Sequence, residues 1–311
     1  MSNPTPLQPS APSKSAIFVR RLGSSVTLWA IVLAAIFSPV KWVRDYVFLV
    51  LMLLLAGSGL REFYDMVAKR GMACFRGWGI FGGLLLMGST FFYLSGALGP
   101  RQAAEANDFE TGILVLFVLG LCIRQFLARG SASGMQAIST TLLGLMYVPW
   151  LLNFIQKINF FPNVAGQYYV LYFILVTKFS DLGAYVTGSL FGRHKMIPRI
   201  SPNKTWEGFA GAIGISTGAS LVFAHYVGDH LAGMTLVHAA VLGVILSTAA
   251  VVGDLIESIF KREAGLKDSG RLFPGLGGIL DLMDSLLFNA PLMYLYLRYF
   301  LAQPAAGPAG F

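Results

Sequence analysis

Met234–Ser258 reads M-T-L-V-H-A-A-V-L-G-V-I-L-S-T-A-A-V-V-G-D-L-I-E-S. From Leu236 to Gly253 it carries 18 residues without Asp, Glu, Lys or Arg, and a helix needs about 20 mostly apolar residues to cross roughly 30 Å of hydrocarbon. The run is continuous, whereas the strand of an outer-membrane barrel alternates over about ten residues, so a spanning helix is expected. Asp254 and Glu257 then close it with charge, at the place where such a helix leaves the bilayer.

The same pattern recurs along the chain. Candidate spans fall near 24–41, 46–60, 78–98, 111–127, 136–155, 167–190, 206–227, 234–258 and 283–302, about nine in all. Of 311 residues, 55% are hydrophobic and 12% charged, against about 25% charged in a soluble domain. The expected fold class is therefore all-α, a polytopic integral membrane protein. Residues 1–23, rich in Pro and Ser at their start, read as a disordered cytoplasmic tail. Residues 24–165 read as a first set of spans, 166–303 as a second set carrying the functional site, and 304–311 as a short tail.

The net charge of +8 raises the question of nucleic acid, but the placement of the charge answers it. Basic residues collect in alternate joints: Lys14, Arg20 and Arg21; Arg61, Lys69, Arg70 and Arg76; Arg124 and Arg129; Arg193, Lys195, Arg199 and Lys204; Lys261, Arg262, Lys267 and Arg271. The other joints hold little besides Lys41, Arg44, Arg101, Lys157 and Arg298. The positive-inside rule then puts the N-terminus in the cytoplasm, and the basic joints suit membrane lipid headgroups, not a nucleic acid. Cys74 and Cys122 make no disulfide framework, and the four histidines show no zinc spacing.

Polar residues are concentrated in the second half, where charge at membrane depth marks a site. Lys178 and Asp181, three apart in a span, share a face and can pair, beside Gly183 and Gly188, which leave room for a close helix or a ligand. Residues 191–208, F-G-R-H-K-M-I-P-R-I-S-P-N-K-T-W-E-G, set cations around Pro198 and Pro202. The prolines exclude a regular helix, and a stiff loop with Lys204, Ser201 and Thr205 suits a polyphosphate. Further on, Asp254, Glu257, Ser258, Lys261 and Arg262 form a polar stripe. Pro274, Gly275, Gly277 and Gly278 then open a last helix on which Asp281 and Asp284 share a face.

Three aspartates near one membrane surface call for a hard cation such as Mg2+, which takes one or two carboxylates together with substrate phosphates. Such a site serves phosphoryl or nucleotidyl transfer without a Ser or Cys nucleophile. The glycines of the last turn serve tight packing or a backbone nest for phosphate; a P-loop lysine motif is missing. An ion-coupled transporter is the competing reading, but it calls for inverted repeats, and none is visible. A CDP-alcohol phosphotransferase needs a D-G-x-x-A-R block, which is also missing.

Residues 258–285, S-I-F-K-R-E-A-G-L-K-D-S-G-R-L-F-P-G-L-G-G-I-L-D-L-M-D-S, with D-L-G-A-Y and S-P-N-K-T-W-E-G upstream, resemble the signature blocks of the phosphatidate cytidylyltransferases, the CDP-diacylglycerol synthases. The resemblance implies transfer of cytidylyl from CTP to phosphatidate or, as an alternative, to another lipid phosphate. It implies Mg2+ with K+ as an assisting ion, a homodimer, and a site on the cytoplasmic side of the inner membrane. It makes Asp254 and Asp281 metal ligands with Asp284 in or beside that shell. Asp181, Ser258, Lys261, Arg262, Lys267, Asp268 and Arg271 become residues that contact substrate or order the loop, and Ser201, Lys204 and Thr205 seat nucleotide or lipid phosphate. Two positions depart from the family pattern: Leu276 and Leu282 stand where His and Arg are usual, with Lys178 or Arg271 placed to compensate.

Overall fold

The computed structural model describes residues 30, 33–34, 36–97, 105–128, 133–270 and 277–302. From Lys41 onward the described residues form eight helical rods: α1 Lys41–Lys69, α2 Arg76–Leu94, α3 Glu105–Leu127, α4 Gly134–Asn159, α5 Gly166–Phe191, α6 Trp206–Val227, α7 Leu236–Glu263 and α8 Ile279–Tyr296. The first seven include helices long and apolar enough to cross a membrane. α8 carries Asp281 and Asp284 and continues as a π turn, Leu297–Leu301.

The N-terminal part departs from the sequence reading. Half of the 24–41 run lies outside the described residues, and 46–60 is the middle of a single 29-residue helix. Lys41, Arg44 and Asp45, which read as a joint, lie at the start of α1, where Arg44 Nε is 3.5 Å from Asp45 Oδ1. Lys157, expected in an outer joint, is instead buried and ion-paired with Glu110 between α3 and α4. Asn153 Nδ2 donates to Glu110 Oε1 at 2.6 Å and to Thr90 Oγ1 at 3.0 Å, so the pair lies in a hydrogen-bonded environment, as burial of charge requires.

Large residues of one helix fill the glycine positions of the next. Tyr64 of α1 lies against Gly79 and Gly144, where an added Cβ would come within 2.0 Å and 2.6 Å of its ring system, and its hydroxyl donates to the Thr141 carbonyl at 2.8 Å. α4 passes through a π turn at Met146–Trp150, where Pro149 has no N–H to continue the regular ladder. α8 packs against α1, α4, α5 and α7, with Leu280, Leu287, Ala290 and Met293 fully buried. α5, α6 and α7 form a tight trio. At the α5–α6 crossing, Cβ atoms on Gly183 and Gly211 would stand 2.6 Å from the Gly211 carbonyl and 1.9 Å from Thr187 Oγ1. The two backbones meet there only because these side chains are missing.

Between α5 and α6 the chain forms a two-stranded antiparallel hairpin, β1 Lys195–Ile197 and β2 Ser201–Thr205, with Lys195 opposite Thr205 and Ile197 opposite Ser201. It lies at the same end of the bundle as the last turns of α1, α5 and α7 and the first turns of α6 and α8.

Candidate active site

The hairpin is fastened to α6 at several points. Thr205 is the N-cap of α6, its Oγ1 accepting from Gly208 N at 3.1 Å, which satisfies one of the free N–H groups of a first turn. Glu207 accepts from the backbone N–H groups of Arg193 and His194 at 3.1 Å and 3.2 Å. Arg262 of α7 donates to the Ile200 carbonyl at 3.2 Å and to the Leu266 carbonyl at 3.3 Å. So held, β2 projects Lys204 toward α7, and its Nζ lies 2.5 Å from Asp254 Oδ2.

Across this contact the acids of α7 and α8 converge. Asp254, Glu257 and Asp284 each offer one carboxylate oxygen, and these oxygens lie within 4.8 Å of one another. Glu257 is fully buried, with Lys261 Nζ 2.5 Å from its Oε2. The same ammonium donates to Asp281 Oδ1 at 2.7 Å. Asp281 Oδ2 accepts from Gly278 N at 2.7 Å, Ser269 N at 3.0 Å and Ser269 Oγ at 2.9 Å. Asp281, expected among the metal ligands, thus contributes no oxygen to the converging group; it holds Lys261 and the loop after α7. The carboxylate that α8 does bring to this group is that of Asp284, whose Oδ1 accepts from the N–H and hydroxyl of Ser285.

A cavity of about 370 Å3 opens beside these groups. Asp181, Ser201, Lys204, Thr205, Asp254, Lys261, Asp281 and Asp284 all line it, while Tyr185, Met196, Phe209 and Val251 give it an apolar wall. Asp181 reaches it from α5 and is 3.2 Å from Lys178 Nζ. Lys178 also donates to the carbonyl of Leu282 at 3.3 Å, so an ammonium lies against the main chain of the residue that stands where the family pattern has Arg. Four expected residues lie elsewhere. Ser258 is buried within α7, Arg262 clips the hairpin from outside, and Lys267 and Asp268 are exposed on the following loop. Arg271 and Leu276 lie outside the described residues.

Two acids escaped the sequence reading of the site. Glu257 was legible in principle, three residues from Asp254 on the polar stripe of α7. Glu62 of α1 was not. It accepts from Ile279 N and Leu280 N, both at 2.9 Å, across 217 and 218 residues of sequence. With Asp281 on Gly278 N, the N–H groups of residues 278–280 are already occupied by carboxylates; residues 274–276 of the glycine turn, expected to pack tightly or to nest a phosphate, lie outside the described residues.

A sequence profile described as the cytidylyltransferase family matches residues 25–300. A phosphatidate cytidylyltransferase of Staphylococcus saprophyticus is 34% identical over 272 residues, which is 87% of this chain and 97% of that protein. One from Mycobacterium bovis is 32% identical over 221 residues, covering 69% of this chain and 70% of its own length. One from Staphylococcus epidermidis reaches 46% identity over 132 residues, 42% of this chain and 50% of that protein. The profile runs from the first apolar segment to the end of the last helix, and a full-length relative aligns along the same extent, so the chain belongs to the cytidylyltransferase family.

Proposed function

We propose that this protein joins CTP to phosphatidate, forming CDP-diacylglycerol and pyrophosphate, at the cytoplasmic face of the inner membrane. The observation that carries the reading is the meeting of Asp254, Asp284, Lys204 and Lys261 around one cavity, with Glu257 buried behind them, at the end of the bundle where basic residues gather. The names of the relatives supply the substrate pair. In the transfer, a phosphate oxygen of phosphatidate forms a bond to the α-phosphorus of CTP. The bond from that phosphorus to the bridging oxygen breaks, and its electron pair leaves on pyrophosphate.

The chain's own part is to bind, orient and neutralise. Lys204 and Lys261 offer charge to phosphate oxygens, Lys204 from a hairpin anchored at both ends. Ser201 and Thr205 border the same space, and Thr205 serves the cavity through the cap that fixes β2 to α6. The apolar wall of Tyr185, Met196 and Phe209 suits the glycerol end of a lipid. Lys267 and Asp268 act outside the cavity, at the headgroup surface.

The donor set fits Mg2+: carboxylate oxygens alone, close enough to share one ion, beside a polar space large enough for the waters that Mg2+ retains. Asp254, Glu257 and Asp284 would hold it, and when bound it supplies charge neutralisation at the phosphates. K+ as an assisting ion and a homodimeric assembly rest on the resemblance alone.

A panel of CTP, UTP, ATP and GTP, each offered with phosphatidate and Mg2+ to the purified protein, tests the assignment. Lipid-linked nucleotide should form with CTP and only weakly with the others; equal product from all four, or none, would refute it.

A further inference from the structure

Glu62 stands near the inner end of α1, in the half of the chain without a diagnostic motif, yet both of its oxygens are engaged at the start of α8. Oε1 accepts from Ile279 N at 2.9 Å; Oε2 accepts from Leu280 N at 2.9 Å and from Ser269 Oγ at 2.8 Å. An anion is favoured at a helix N-terminus, where the N–H groups lack intrahelical partners. The N-cap residue is Gly278, which has no side chain to provide one, so the acid comes from another helix. Two glycines keep its place clear. A Cβ on Gly270 would stand 2.3 Å from Glu62 Oε1, and one on Gly278 would stand 2.3 Å from both Glu62 Oε2 and the Ser269 Oγ that Glu62 holds.

Ser269 links this cap to the cavity. Its hydroxyl touches Glu62 on one side and Asp281 Oδ2 on the other, and Asp281 in turn holds Lys261. Glu62 itself is not among the residues lining the cavity. We propose that Glu62 is a positioning residue for the transfer reaction: from α1 it fixes the first turn of α8 and the Ser269 loop, keeping Asp281, Lys261 and Asp284 in register with Asp254. This rests on the cytidylyl-transfer reading above.

The test is steady-state kinetics on Glu62→Gln, Glu62→Ala, Gly278→Ala and the double variant Glu62→Ala/Gly278→Ala, with rates normalised to monodisperse folded protein and the unaltered enzyme assayed alongside. A displacement of about 1 Å in a reacting group costs on the order of 100-fold. Turnover is therefore expected to fall about 100-fold in Glu62→Ala and about tenfold in Glu62→Gln, which keeps one acceptor. KM for CTP should stay within about threefold, since binding groups remain. Gly278→Ala, whose methyl displaces the carboxylate, should resemble Glu62→Ala, and the double variant should lose no more than either single one.

Turnover within about twofold of the unaltered enzyme in both Glu62→Gln and Gly278→Ala would overturn the proposal, as would losses that multiply in the double variant. Normal kcat in a poorly recovered but folded Glu62→Ala would also overturn it, by making the role one of stability alone. An unaltered enzyme that transfers nothing from CTP would remove the cytidylyl-transfer reading as well, a failure separate from that of Glu62.

Discussion

Asp254 and Asp284 come from different helices and share an oxygen cluster with Glu257, while Lys204 balances Asp254 from the hairpin. Replacing either aspartate by Asn keeps the shape and removes one charge. Asp254→Asn and Asp284→Asn are each expected to lower kcat about 100-fold or more with the fold retained, measured as labelled lipid formed per folded molecule at saturating substrate. Normal turnover in both would remove the metal assignment. At this scale the sequence was legible where an acid interrupts an apolar helix, as at Asp254 of α7 and Asp284 of α8. It said nothing of the partners of Asp281, whose oxygens face Lys261, Ser269 and Gly278. Glu62 had no local signal, because everything that gives it a task lies across the fold.

Among the elements, the hairpin and the α5–α6 crossing position the cavity. Pro198 and Pro202 announced that 191–208 is not a helix, yet they did not announce two paired strands. That pairing depends on contacts made outside the segment, Glu207 to the backbone of Arg193 and His194 and Arg262 to Ile200. The glycines were better omens, since Gly183 and Gly188 read as sites of close approach and do face α6. Gly211→Val would drive a branched side chain into Thr187, and such overpacking typically costs about 1–3 kcal/mol. Because α5 carries Asp181 and α6 begins at the hairpin, the variant should show a lower thermal midpoint and weaker CTP turnover together. Gly214→Ala, whose added methyl meets nothing within 4 Å, is the control for bulk on α6 and should hold or slightly raise the midpoint, since Ala favours a helix interior over Gly.

Over the whole molecule, the membrane-spanning character was plain from composition, since apolar run length alone decides which segments can cross. The joints were harder to place. Lys41, Arg44 and Asp45 look like a loop and form the start of α1, and Glu110 and Lys157 look like surface charges and form a buried pair. Pairing rewrites the meaning of a charge, and pairing across distant segments is not a local property of sequence. The buried pair lies at the end of the bundle away from the cavity, where it joins α3 to α4. At the other end, acids and cations from α5, α7, α8 and the hairpin surround one polar space. That arrangement makes a definite demand on the reaction: the nucleotide must be split between its α- and β-phosphates, with the nucleoside monophosphate passing to lipid. The direct measurement supplies purified protein with phosphatidate, Mg2+ and CTP labelled at either the α- or the γ-phosphate. The account predicts that α-label enters the lipid fraction while γ-label is recovered in pyrophosphate, whereas γ-label in the lipid, or no labelled lipid from either nucleotide, would contradict it.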